Sequence, residues 1–191
     1  MIVLIVIIVF GLWFAVQVGL HTPYPALAVA TGSMCKLPGN DCDGWSHPFE
    51  RTLHVGDLII VQGVKPEEIH TGPEPGGDVI VFQPTWAGGD LIVHRAIGVK
   101  NESGHFSFIT KGDGNSGADP DETSSDRVFG RVVMRIPWLG WLSLFMRNSS
   151  LAAFIIVLLI IVLVIVEIVV PSYTRRKSAI EEAASSESLS P

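Results

Sequence analysis

Apolar positions in this chain are concentrated at its two ends. Residues 1–20, MIVLIVIIVFGLWFAVQVGL, hold no charged side chain. Residues 151–170, LAAFIIVLLIIVLVIVEIVV, hold one, Glu167, near the end of the run. A helix needs about 20 apolar residues to cross the ~30 Å hydrocarbon core of a bilayer. Both blocks are therefore predicted to be transmembrane helices. A cleaved export signal is the alternative for the first block, with Ala28-Val29-Ala30 as its A-x-A site. No Lys or Arg precedes the run, and it exceeds the ~7–15 apolar residues of such signals, so a retained anchor is favoured.

Between the blocks the period changes. Short runs rich in Val, Ile and Phe, bounded by Gly, Pro, Asp and Asn, predict strands at residues 57–61, 78–83, 91–99, 106–110 and 128–136. No helical period separates them, which predicts a mainly β fold with an antiparallel sheet or barrel. Residues 112–126, GDGNSGADPDETSSD, read as a polar surface loop. The loop lacks the closing Glu and flanking helices of an EF-hand, so calcium is not favoured there. Residues 137–145, PWLGWLSLF, are apolar and aromatic, and Trp138 and Trp141 suit a membrane interface.

Four segments follow: an anchor at 1–20, an extracytoplasmic β domain at 21–150, a second transmembrane helix at 151–170, and a tail at 171–191. Arg175, Arg176 and Lys177 follow the second block at once. The positive-inside rule places that end in the cytoplasm and the middle segment outside, making a multi-pass protein of the cell membrane. The Ser/Glu-rich tail predicts disorder. The middle segment carries 15 Asp/Glu against 10 Lys/Arg. That balance argues against a nucleic-acid partner.

Ser33 lies in Thr31-Gly32-Ser33-Met34, 13 residues past the first block. At ~3.3–3.6 Å per residue the chain holds it near the membrane surface. A turn serine is the ordinary reading of such a residue. A nucleophilic serine needs a base to take its proton. His94 lies within an apolar strand, in Ile92-Val93-His94-Arg95-Ala96, where a structural histidine is the ordinary reading. His21, His47, His54, His70 and His105 fall in loops or at strand edges and are assigned no role. A histidine base works best when a carboxylate fixes its tautomer. Asp113 and Asp119 are the candidates for that carboxylate.

Together these segments resemble type I signal peptidases, in the archaeal form and in the catalytic subunit of the endoplasmic-reticulum enzyme. The resemblance rests on Thr31-Gly32-Ser33-Met34, Gly56-Asp57, Gly77-Asp78-Val79-Ile80, Ile92-Val93-His94-Arg95-Ala96 and Lys111-Gly112-Asp113-Gly114-Asn115, in the family's order. It covers roughly residues 25–142. The resemblance implies an antiparallel β domain and a serine endopeptidase that removes signal peptides from exported preproteins. Such an enzyme cuts after small residues, on the extracytoplasmic face. It implies Ser33 as nucleophile, His94 as base, Asp119 as the third member, Asp113 as a supporting residue and Thr31 as an oxyanion donor. The partners implied are preproteins, membrane lipid and the translocon, with no cofactor or metal.

Three features depart from the family's pattern, one of them the uncommon second span after the domain, which adds an anchor. Gly114-Asn115 stands where relatives often carry two asparagines. The stretch at residues 35–54 holds Cys35 and Cys42, which on an outside face are candidates for a disulfide, with free or metal-bound thiols as the alternatives. Two other functions stay open at this point. One is a serine–lysine protease using Lys100 or Lys111. The other is a membrane-tethered β module without catalysis.

Overall fold

The computed structural model describes residues 2–36 and 52–148, with residues 158, 161, 162, 165 and 166. The chain divides into two units, Leu4–Phe145 and a second made of Met1–Val3 with Met146–Pro191.

The first unit carries most of helix α1 (Ile2–Gly19) and all seven strands among the described residues, β1 (Ala26–Ala28), β2 (Leu58–Gln62), β3 (Val79–Phe82), β4 (Ile92–Glu102), β5 (His105–Lys111), β6 (Thr123–Ser124) and β7 (Val128–Ile136). A second helix, α2, spans Gly140–Asn148. The strands form one sheet in the order β1-β2-β7-β3-β4-β5-β6, with every neighbouring pair antiparallel. The mainly β, antiparallel reading of the sequence therefore holds. Register shifts at Ile60/Val61, Val81/Phe82 and Ala96/Gly98 interrupt three of the pairings. Bulges of this kind sharpen the local twist, and here they curve the sheet into a half-barrel.

Side-chain alternation explains the packing. In β3, Val79 and Val81 join one core cluster with Val29, Met34, Leu53, Ile59 and Val61. Ile80 and Phe82 point the other way and join Ile69, Ala96 and Phe108. Successive strand residues face opposite sides, so a central strand such as β3 is apolar throughout. Ile59, Ile80, Phe82 and Phe108 are fully buried. Each such side chain contributes about 1.5–3 kcal/mol relative to exposure.

The described residues of the apolar ends carry less than the sequence expectation. The first block forms α1, uncharged along its length, and its described side chains from Ile5 to Val18 are exposed except Gln17. Its 18 residues rise about 27 Å, short of the ~30 Å hydrocarbon core. Among the described residues, no helix is long and apolar enough to cross a membrane. The described residues therefore do not carry the expected two-span, multi-pass architecture. In the second block, Leu158, Ile161, Val162, Ile165 and Val166 are helical and exposed. The rest of that block and the tail at 171–191 lie outside the described residues.

The aromatic segment before the second block splits between two roles. Leu144 is buried, and Trp141 lies against Gly56. Trp138, Leu139, Leu142 and Phe145 stay exposed.

Candidate active site

Three pieces of backbone build the site. The first is a turn that follows β1. The Cys35 N–H donates to the Gly32 carbonyl at 3.0 Å, which places Ser33 inside the turn. Met34 is buried in the first core cluster. Its packing fixes the turn and leaves the half-buried Ser33 as the neighbouring polar group.

The second piece is β4. His94 pairs with Ile80 of β3 and is only 4% exposed. Its ring lies 6.3 Å from the Phe82 ring, tilted by 60°. An apolar wall on that side limits the ways the imidazole can turn.

The third piece is the loop after β5. The Asn115 N–H donates to the Gly112 carbonyl at 2.9 Å, and the Gly114 N–H donates to the Ser33 carbonyl at 2.9 Å. The loop thus lies directly on the Ser33 turn. A Cβ on Gly112 would stand 2.5 Å from the Ser33 carbonyl oxygen and 2.9 Å from His94 Nε2. Only glycine permits that approach. The loop then returns, and the Asp119 N–H donates to the Thr110 carbonyl at 2.8 Å.

These pieces bring Ser33, His94 and Asp119 together. Ser33 Oγ lies 3.0 Å from His94 Nε2. His94 Nδ1 lies 2.7 Å from Asp119 Oδ2. The His94 and Asp119 side chains are each 5% exposed. A buried carboxylate at one ring nitrogen favours a proton there and leaves the other nitrogen free to accept one. The hydroxyl lies within reach of that second nitrogen. Such an arrangement is able to withdraw a proton from Ser33.

Thr31 and Asp113 take different places. Thr31 Oγ1 is 3.4 Å from Ser33 Oγ, at the exposed edge of the site. Asp113 is gripped by Arg95. Arg95 Nε donates to Asp113 Oδ1 at 2.8 Å, and Nη2 donates to Oδ2 at 2.5 Å. Arg95 Nη1 donates to the Gly77 carbonyl. The bidentate pair holds the Arg95 guanidinium pKa above its already high ordinary value, against burial, which acts the other way. Arg95 follows His94 in the chain, and Asp113 follows Gly112. The pair therefore ties the strand carrying His94 to the loop lying on Ser33.

Lys100, considered from sequence as a base, bonds instead to Glu122 on the exposed surface. That contact raises the Lys100 pKa and lowers that of Glu122. Cys35 is buried beside Met34 and is disulfide-bonded. Cys42 lies outside the described residues, as does His47. His54, assigned no role from sequence, is buried, with Nδ1 3.1 Å from Arg135 Nη1. Its backbone N–H donates to Asp57 Oδ2 at 2.8 Å. This second polar cluster anchors the Gly56-Asp57 turn ahead of β2. Thr110 was not anticipated. Its Oγ1 donates to Asp119 Oδ2 at 2.6 Å, and a threonine in a β-strand gives no sequence signal of such a contact.

Two curated proteins are similar to this chain. The signal peptidase complex catalytic subunit SEC11 of Colletotrichum graminicola is 25% identical over 148 residues, covering 72% of both chains. The same-named subunit of Tuber melanosporum is 27% identical over 152 residues, covering 72% of this chain and 71% of its own. No family model matches the chain. The two relatives support a place for the chain near the signal peptidases, and their names support a protease role.

Proposed function

We propose that this chain is a membrane-bound serine endopeptidase that removes signal peptides from exported preproteins, cutting after small residues on the extracytoplasmic face. One observation carries the reading: the chain of contacts from Ser33 Oγ to His94 Nε2 at 3.0 Å and from His94 Nδ1 to Asp119 Oδ2 at 2.7 Å. The similarity to two signal peptidase catalytic subunits gives the reading its substrate.

In this mechanism Ser33 Oγ attacks the scissile carbonyl carbon while His94 Nε2 takes the hydroxyl proton. Asp119 holds the proton on Nδ1 and stabilises the imidazolium as it forms. The C–N bond breaks, and Nε2 returns the proton to the departing amine. Water then attacks the acyl ester on Ser33, giving its proton to His94, and the Ser33 oxygen leaves and recovers a proton. The Ser33 N–H and the Thr31 hydroxyl hold the oxyanion. One such donor is worth about 2.7–4 kcal/mol in the transition state. Asp113 supports the site through Arg95.

Membrane attachment belongs to the same proposal. The uncharged α1 exposes its described apolar side chains, and lipid is the environment that suits them. A mismatch of a few ångströms costs only fractions of a kcal/mol per ångström. With the second apolar block also inserted and the basic cluster at 175–177 inside, the β domain faces the extracytoplasmic side. Preproteins, lipid and the translocon are then its partners. A Cys35–Cys42 disulfide would close a short loop beside Ser33.

The test is cleavage of a signal-bearing preprotein by the full chain in liposomes, with sequencing of the new N-terminus. The proposal expects one cut, directly after a small residue. Scattered cuts, or none by a folded protein, would set it aside.

A further inference from the structure

The geometry points to Thr110 as a positioning residue that fixes Asp119 against His94. This inference rests on the roles proposed above for Ser33, His94 and Asp119. Thr110 is fully buried in β5, and its pairing with Ala96 places it on the same sheet face as His94. It holds Asp119 at two points. Its carbonyl accepts the Asp119 N–H at 2.8 Å, and its hydroxyl donates to Asp119 Oδ2 at 2.6 Å. An ionised carboxylate only accepts, so the hydroxyl must be the donor.

Asp119 Oδ2 is the same oxygen that meets His94 Nδ1 at 2.7 Å. Two donors on one oxygen restrict rotation of the carboxylate about its Cβ–Cγ bond. A β-branched side chain is stiff at χ1, so the strand sets the direction of the Thr110 hydroxyl. At 5% exposure, the Asp119 side chain has little access to water as a substitute donor. Thr110 therefore aims the carboxylate, and the carboxylate selects which ring nitrogen of His94 carries the proton.

The experiment compares Thr110→Val, Thr110→Ala and Thr110→Ser in the full chain in detergent micelles. The readout is the His94 tautomer, from ¹⁵N-histidine NMR at a pH where the ring is neutral, with the signal assigned through His94→Gln. The wild type is expected to hold the proton on Nδ1. Thr110→Val, close in shape, is expected to raise the Nε2–H fraction several-fold. It should also lower kcat about tenfold, the weight of one hydrogen bond to a charged group, with KM unchanged. Thr110→Ala carries the same expectation, so failure of one variant to fold leaves the question decidable. Thr110→Ser keeps the hydroxyl and should match the wild type. Wild-type tautomers in the folded Val or Ala variant, or a Ser variant resembling them, would overturn the inference. A wild type without Ser33-dependent cleavage would set aside the peptidase reading, and the tautomer measurement would still decide the role of Thr110.

Discussion

Replacing Gly112 with alanine should cut catalysis about 100-fold in a protein that still folds. An added Cβ would lie 2.5 Å from the Ser33 carbonyl oxygen, 2.8 Å from Asn115 Nδ2 and 2.9 Å from His94 Nε2. Ordinary contact for a carbon atom is about 3.5–4.0 Å. The Ser33 turn and the loop must therefore separate by about 1 Å. The Gly114–Ser33 hydrogen bond and the Arg95–Asp113 pair both resist this, so part of the movement falls on the Ser33–His94 contact. A misplacement of 1 Å can cost about 100-fold in rate, or ~2.7 kcal/mol of barrier. The same overpacking should cost about 1–3 kcal/mol of stability. Gly117, in the same loop, has nothing within 4 Å of its added Cβ. Gly117→Ala is thus the matched control. Preprotein cleavage gives kcat/KM for each variant, and denaturant unfolding gives stability. The expected result is a ~100-fold loss for folded Gly112→Ala and wild-type behaviour for Gly117→Ala. Full activity in Gly112→Ala, or equal losses in both, would refute the reasoning.

Two further outcomes follow from the same contacts. Asp119→Asn can place an amide N–H against His94 Nδ1 and force the wrong tautomer, so kcat should fall by about 10²–10⁴ with the melting curve little changed. Arg95→Leu leaves the Asp113 carboxylate, 6% exposed, without its bidentate partner; unfolding should show a loss of about 3 kcal/mol, most of it recovered when Asp113 is also replaced by an apolar residue.

The strands were legible where burial alternates or where both faces are apolar. Residues 128–136 match β7 at both ends, and the runs around Ile59, Ile80 and Ile92 fall within a few residues of β2, β3 and β4. β1 and β6 were missed because three residues and two residues are too short to show a period. The meeting of Ser33, His94 and Asp119 was implied by the family resemblance alone, because nothing local in the sequence encodes it. It depends on the β4–β5 pairing and on a loop that folds back through Gly112. Arg95 stands beside His94 in the sequence, and the Asp113 that it grips lies 18 residues further on. His54 looked like a loop histidine because the Asp57 and Arg135 that surround it come from β2's approach and from β7. Thr110 carries no sequence signal, since threonine is common in strands for reasons of shape alone.

The most direct test of the central claim compares the wild type with Ser33→Ala on a signal-bearing preprotein in liposomes. The account predicts that the folded variant loses cleavage by several orders of magnitude while the wild type releases the mature protein. Cleavage retained by a clean preparation of Ser33→Ala would contradict it.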